Sequence, residues 1–521
     1  MKKISFILLG LLLTHPVFSG DFPSIQQTRS SKLLKPIFKA IGYRPLGVHI
    51  YNRDTAQPIQ DAIVMVSEKL DPSQTFLWTK TDAKGNASFD GFTLPEGQIT
   101  ISAAHQNYSR YTLFLTEGDK IEIPLTSLED DDQKTVLKGA FNGWPEMEDY
   151  DGTLHLGFMF PFLDIVTLLN FDTDKILAPY VKAQIYEQMM VPGNLVAPTQ
   201  EESVFGLLSL FVSKPMYQMP FPRGSRQNLV AISGEVPIDQ LARSFSQKKP
   251  VIEMMNMITM TRVGMGFNIA IPEQTARRDL HLGFPMNPKF EVAVENPLPN
   301  KDLIYISSGA FENGVSSIFP VDFKVKGRNE WDKRVTLKSI EHADELPPFR
   351  DEIAVIHADL PKTMDGSRQE LDGAMSAALA RPEPLQTDVT LNSFLSFIDL
   401  SANGAYHFSY RYREPTPPPT TEEPQLSLSF LNIEIKPSKE DKGYKKTWWT
   451  VLAPAHVREF TLPTLPGGLS QLPSLKPKEE LNFTMNLFKT ADQPFHYHSF
   501  NEGMLASRLT HFSRNKIKIE P

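Results

Sequence analysis

His342 and Glu345 stand three residues apart in "HADE", and an imidazole and a carboxylate at that spacing can grip zinc if a third ligand joins them, for which the sequence offers the distant His456. The stretch runs at once into Pro347-Pro348, with no further ligand motif around it, so a zinc site is not adopted there. His496 and His498 in "HYH" alternate to one side of an extended strand and could chelate a transition metal with a partner such as His511. They are the candidate metal pair, although such pairs on surface strands commonly stand without an ion and no metal is expected. Glu201 with Glu202, or Asp172 with Asp174, could serve glycoside hydrolysis if held about 5–9 Å apart across a cleft. Their sequence setting suits solvated helix starts and loops better. Asp130, Asp131 and Asp132 are acidic enough for calcium but lack the spaced ligands and glycine of a calcium loop. Met254, Met255, Met257, Met260 and Met265 could bind copper(I) or form an adaptable groove, yet no histidine lies among them, which favours core packing.

Binding chemistry is better represented than catalysis. "VPGNLVAPTQ" contributes Asn194 and Gln200 from a proline- and glycine-broken loop, and "KPMYQMPFPRGSRQ" gathers Tyr217, Phe221, Arg223 and Arg226. Flat rings and guanidinium forks give contact area at low entropic cost, so these six residues are the candidate ligand contacts. The alternative is that they pack beneath proline-rich loops. No G-x-S-x-G elbow, H-E-x-x-H helix, phosphate loop or G-x-G-x-x-G turn occurs, and the absence of cysteine removes thiolate sites and nucleophiles. No cofactor is expected.

The elements that would position these residues are mostly strands. Length 521 suggests three or four domains, and 42 prolines suit many strand ends rather than long helices. Lys2 and Lys3, the apolar run Ile4 to Leu13, Pro16 and the small-residue end Val17-Phe18-Ser19 read as a secretory signal over 1–19. With no cysteine to carry a lipid, the rest is expected to be secreted or periplasmic. "LGFMFPFLDIVTLLNF" is apolar but holds Pro161 and Asp164 and is too short for a bilayer, so no transmembrane span is expected after the signal. Short alternating runs predict a β-sandwich over 43–127, and the connector "LEDDDQK" ends it. Helical spacing in Lys175 to Met190 and Glu201 to Lys214, with a short helix at "PIDQLARSFSQKK", predicts a mixed α/β unit over 135–250. Alternation returns in a β-rich unit over 251–385, closed by a helix from Gln369 to Ala380, and in a second sandwich over 386–521. The fold class is therefore multidomain and mainly β, with β-sandwich modules flanking a central mixed α/β segment.

Pro58, Ala62, Val64, Thr81-Asp82, Gly85, Phe89 and Tyr108 occur in the order of the carboxypeptidase regulatory-like family, and residues 46–125 resemble its transthyretin-like sandwich. That resemblance implies a non-catalytic module that spaces or presents its neighbours. In the family's namesake enzymes it follows a zinc peptidase domain, whereas here it comes first. The last segment resembles fibronectin type III in strand spacing and length, without a diagnostic motif.

A net charge of −8 without a basic block argues against nucleic acid, which needs clustered Lys and Arg. The function expected is a non-enzymatic, adhesion-type binding protein of a bacterial envelope, recognising an extracellular or envelope protein or glycan through loops. The alternative is a secreted hydrolase with its site in the central unit.

Overall fold

The computed structural model describes residues 46–67, 77–89, 98–116, 119–128, 134–144, 152–163, 165–170, 178–182, 190–196, 216–237, 239–240, 243–244, 247, 256–311, 317–340, 346–360, 373–403, 407–412, 426–437, 445–466, 468–476, 479–491 and 507–519. Among them the chain is mainly β, in several sheets.

The turn "TDAKGN" shows how local chemistry sets the first strands. Asp82 accepts hydrogen bonds from the backbone N–H groups of Lys84 and Asn86 at 2.8 and 2.9 Å. Gly85 has φ 73° and packs so closely on the Ile50 carbonyl that a Cβ would lie 2.4 Å from it, so no larger residue fits. Buried Thr81 donates to the Ile59 carbonyl and accepts from the Ala62 N–H. Two sheets then face each other. One contains Asn86–Ser88, Gly47–Asn52 and Lys120–Leu125, and the other includes Leu77–Lys80, Ile63–Ser67, Ile99–His105 and Tyr108–Thr116. Their alternating residues Val48, Ile50, Val64, Val66, Ile101 and Ile123 meet in the interior.

That second sheet does not end with this sandwich. Tyr108–Thr116 pairs in parallel with Lys446–Pro454, and among the described residues twelve strands follow one another in a single sheet. Their order is Ser317–Lys326, Asp302–Phe311, Phe349–Ala358, Met375–Ala380, Leu509–Ile519, Glu480–Thr490, Leu428–Lys436, Lys446–Pro454, Tyr108–Thr116, Ile99–His105, Ile63–Ser67 and Leu77–Lys80. At the parallel junction Trp449 is fully buried and its indole N–H donates to the Thr112 hydroxyl at 3.0 Å. A small sheet of Ile398–Asn403, His407–Tyr412 and Glu459–Thr461 covers the same face, with Phe408 against Phe483.

At the other end, every residue of Asp302–Phe311 is buried because the strand is covered on both faces. Leu303 and Tyr305 pack with Phe290, Val292, Leu337 and Val355 across to the strands Phe284–Val294 and Arg334–Ile340. Ile304 and Ile306 face the opposite core, with Phe158, Phe160 and Val230. The apolar run from Leu156 is accordingly protein interior: Thr153–Pro161 is a strand and Ile165–Asn170 a short helix. No helix among the described residues is long and apolar enough to cross a membrane.

The central mixed α/β segment expected from the sequence is not present among the described residues. Within 135–250 they are largely strands, with Ile165–Asn170 and helical positions at 239–240 and 243–244 as the helical exceptions. In the expected helix Lys175 to Met190, Tyr180–Lys182 instead pairs antiparallel with Met190–Pro192. Pro179 and the β-prone pair Tyr180-Val181 oppose a helix there, and a spacing near 3.6 is too weak a signal to prevail over pairing. Residues 171–177, 183–189 and 197–215 lie outside the described residues, and with them the expected helix Glu201 to Lys214. The alanine-rich end of the helix expected from Gln369 is also a strand, Met375–Ala380. It sits between Phe349–Ala358 and Leu509–Ile519, where ladder hydrogen bonds on both sides outweigh alanine's helix propensity.

Because N- and C-terminal strands share the Trp449 junction, Trp449→Ala is expected to destabilise the chain by about 3–5 kcal/mol. Hydrogen exchange should then accelerate together in 99–116 and 428–454; acceleration confined to one of them would show that the halves are uncoupled.

Candidate functional site

The six residues nominated as ligand contacts do not converge. Asn194 is buried, donates to the Met159 carbonyl at 2.8 Å and accepts the Ala178 N–H at 2.9 Å, which braces two chain segments. Tyr217 is also buried, with its hydroxyl donating to the Arg278 carbonyl and its ring tilted against Phe141 at 5.6 Å. Burial, with the charge of Asp279, pushes its phenol far above the usual range. Phe221 lies in the same cluster, because Tyr217, Met219 and Phe221 alternate inward along Tyr217–Pro222. Arg223 and Arg226 are exposed, the former reaching the Lys134 carbonyl at 3.4 Å. Gln200 lies outside the described residues.

The metal and catalytic candidates fare similarly. His496, His498, His342, Glu345, Met254, Met255 and the acidic pairs are outside the described residues, and so is the run 130–132; His456 is exposed on a turn, and Met260 is core. Among the described residues no three His, Asp or Glu side chains are grouped to hold a metal ion. On the small sheet His407 stands between a hydroxyl and a carboxylate, its Nδ1 3.0 Å from Thr461 Oγ1 and its Nε2 2.7 Å from Glu459, and elsewhere Ser393 Oγ is 3.1 Å from His511 Nε2. The other ring nitrogen of His511 meets the Thr510 hydroxyl rather than a carboxylate, and burial holds the imidazole down to about 4. Such a ring is a poor general base near neutral pH.

The sequence reading passed over Trp331. It stands in the turn "GRNEWDKR" between Ser317–Lys326 and Arg334–Ile340 and is 94% exposed. A lone aromatic within a charged run was the available signal; its exposure was not legible.

The turn beneath that ring is heavily fixed. Asp302, buried at the entrance of its strand, accepts from Arg328 Nη2 at 2.9 Å, from Arg328 Nε at 3.3 Å, and from the backbone N–H groups of Arg328 and Leu360. Arg328 also reaches Asp359 at 3.2 Å, and Asp359 is 2.5 Å from Lys301. Glu330 caps the Gly327 N–H at 2.6 Å and pairs with Lys326 at 3.4 Å. Lys333 Nζ donates to the Gly327 carbonyl, while the Lys333 carbonyl accepts from the buried Tyr305 hydroxyl at 2.8 Å. A guanidinium fork on a carboxylate defines direction as well as distance, so the turn has one favoured conformation. Burial alone would raise the Asp302 carboxyl, but the Arg328 hydrogen bonds and the two backbone donors outweigh it and hold it below the usual carboxylate range.

The adjoining turn 295–301, bent through the left-handed residues Asn296 and Asn300, is anchored from below by His357. The fully buried His357 Nε2 accepts the Leu298 N–H at 3.1 Å, and its ring meets Phe394 edge-on with centroids 4.2 Å apart. Burial, reinforced by the positive charges of Lys333 and Lys301, holds it down to about 3. His357 is thus neutral in the folded state at ordinary pH. Chemically, this end of the sandwich offers a solvated aromatic ring on a fixed turn, rimmed by hydrogen-bonding groups.

No family model and no curated protein matches the chain. Among solved structures it shows similarity to the TIE protein of Bacillus anthracis, at 9% identity and a TM-score of 0.15, covering 67% of this chain and 50% of that one. The chain thus spans half the length of that protein. GBS52, the minor pilin of Streptococcus agalactiae, is similar at 12% identity and a TM-score of 0.16, over 46% of this chain and 94% of its own. BcpA, the major pilin subunit of Bacillus cereus, follows at 10% identity and 0.15, over 67% and 98%. Likenesses this slight carry no argument.

Arg328→Ala leaves the Asp302 carboxylate buried without its fork and is expected to cost about 3 kcal/mol, with faster amide exchange across 327–333. Unchanged exchange there would show that the fork does not hold the turn. Acid should also destabilise the fold through the buried histidines. In the unfolded chain they bind protons below about 6.5, but folded His357 does so only near 3, so unfolding takes up protons and stability falls as pH drops through that window. The expected slope is about 1.4 kcal/mol per pH unit for each such histidine. Denaturant melts between pH 6.5 and 4 should flatten by about that amount in His357→Gln. Asp302 acts at lower pH, since a carboxyl with a depressed folded pKa loses its contribution only as pH falls below about 4.

Proposed function

We propose that this chain is a non-enzymatic, extracytoplasmic binding protein of a bacterial envelope, of adhesion type, whose β scaffold presents the Trp331 turn to a partner outside the cytoplasm. The observation that carries this reading is the combination of a 94% exposed tryptophan with a backbone fixed by Asp302, Arg328, Glu330 and Lys333. Exposing an indole forfeits its burial, about 2–3 kcal/mol for a large apolar side chain. A flexible turn would fold such a ring back onto the surface. An aromatic side chain on a backbone already fixed suits a recognition surface, because binding then has little beyond its two side-chain torsions to order.

The rest of the proposal rests on the sequence. Residues 1–19 are a secretory signal that leads the chain out of the cytoplasm, and residues 43–127 form a carboxypeptidase regulatory-like module. The strand pairing of Tyr108–Thr116 with Lys446–Pro454 supports a presenting role for that module, since it buttresses the large sheet. A second reading, hydrolysis, draws on the Thr461–His407–Glu459 line and, more weakly, on the Ser393–His511 contact.

Removing a central aromatic anchor weakens binding by about 2 kcal/mol or more, roughly thirtyfold in Kd. Purified protein is expected to bind isolated bacterial envelopes or extracellular proteins and glycans, and Trp331→Ala to lose that binding while melting like the parent. Turnover of an ester, peptide or glycoside that disappears in Thr461→Val or Ser393→Ala would replace this reading with the hydrolytic one.

A further inference from the structure

We infer that the ligand of the Trp331 turn is an uncharged saccharide, stacked by one pyranose face on the indole. This deepens the binding reading above and rests on it. Three features of the turn select the chemistry.

The apolar contact is a single ring. The other large hydrophobic side chains exposed among the described residues, Trp78, Met216, Phe267 and Leu385, stand on other parts of the fold. Trp78 is on the edge strand at the opposite end of the twelve-stranded sheet. Leu385 precedes Asp388–Leu391, which begins opposite Glu291, whereas the Trp331 turn meets Val294 at the other end of that strand. A protein partner needs a buried patch of about 800 Å2 per side with an apolar centre, and a lipid surface needs several apolar groups beside excess cations. One ring supplies neither. It does match the area of one sugar face, whose axial C–H groups are apolar while its rim carries hydroxyls.

Most charges near the ring are engaged, with Lys333 Nζ on the Gly327 and Arg328 carbonyls, while Asp332 and the exposed Arg334 stand two residues apart with opposite sign. Lys326 meets Glu330, Arg328 meets Asp302 and Asp359, and Lys301 meets Asp359. An anion would meet Glu330 and Asp332 and a cation Arg328 and Arg334, so neither sign is favoured, whereas a neutral ligand need not disturb the pairs. Hydrogen-bonding groups also flank the ring: Asn329 and Glu330 are exposed on one side, and Asp332, which accepts the Arg334 N–H at 3.0 Å, lies on the other. An amide and carboxylates can both receive sugar hydroxyls, and the fixed backbone keeps them in register with the ring.

The test is an array of neutral glucans, mannans, galactans and N-acetylglucosamine oligomers, printed beside sulfated and sialylated glycans, with immobilised proteins and anionic vesicles as separate arms. The full-length protein, Trp331→Ala, Trp331→Phe and Asn329→Ala are compared, with melting curves to show that each variant is folded. At least one neutral glycan should bind, about tenfold or more weaker to Trp331→Ala, with Trp331→Phe and Asn329→Ala in between. That binding should change little from about 0.05 to 0.5 M salt. Preference for acidic glycans, steep salt dependence, or no Trp331-dependent binding to a neutral glycan overturns the saccharide inference. If Trp331 then governs binding to a protein or a vesicle, the turn remains a recognition element for another ligand; if it governs nothing, both readings fail together.

Discussion

The Asp302 carboxylate is removed from water at the mouth of a strand that is covered on both faces, and it can remain ionised there only because four hydrogen-bond contacts converge on it. Two come from one guanidinium and two from backbone N–H groups. Those donors belong to different connections, the 327–333 turn and the start of the segment after Ala358. Satisfying one buried charge therefore ties two loop ends to one strand. Arg328 passes the constraint on to Asp359, and Asp359 to Lys301. His357 anchors the neighbouring turn by a different route, as a neutral acceptor inside the apolar layer. The rigidity of the exposed end is thus a consequence of polar groups that had no other way to be buried.

The same economy runs through the large sheet. Strands from the first and last thirds of the chain are hydrogen-bonded neighbours, and the Trp449 indole donates across a sequence separation of 337 residues to Thr112. Such a sheet couples distant segments through backbone pairing and through a common apolar face. At its other end Phe162, Phe311 and Phe319 interlock where Leu163 bridges to Ile318, joining the sheet that contains Thr153–Pro161, Phe284–Val294 and Arg334–Ile340 to the large one. The short turn between Lys326 and Arg334, which carries Trp331, links the two sheets and inherits the stiffness of both.

Legibility from sequence varied with how local the cause was. Thr81, Asp82 and Gly85 form a turn whose hydrogen bonds close within a few residues, and that turn was readable. The alternation across 251–385 announced strands for the same reason. The helical reading of Lys175 to Met190 erred because its apolar spacing was compatible with both periods, and pairing between Tyr180–Lys182 and Met190–Pro192 chose. In "YQMPF" the period of two was present, yet the prolines and arginines around it suggested a loop; Tyr217 and Phe221 turned inward with the pleat.

Taken alone, the residues determined a strand-rich chain, the positions of tight turns and the absence of thiol chemistry, since these follow from composition and from contacts a few residues long. Which strands became neighbours, which aromatic rings were covered and which were left in solvent were decided by the assembled sheets. Asp302, Arg328 and Asp359 meet because three separated strand ends finish at one edge of a sandwich, and side-chain periodicity, being local, carries no record of that order.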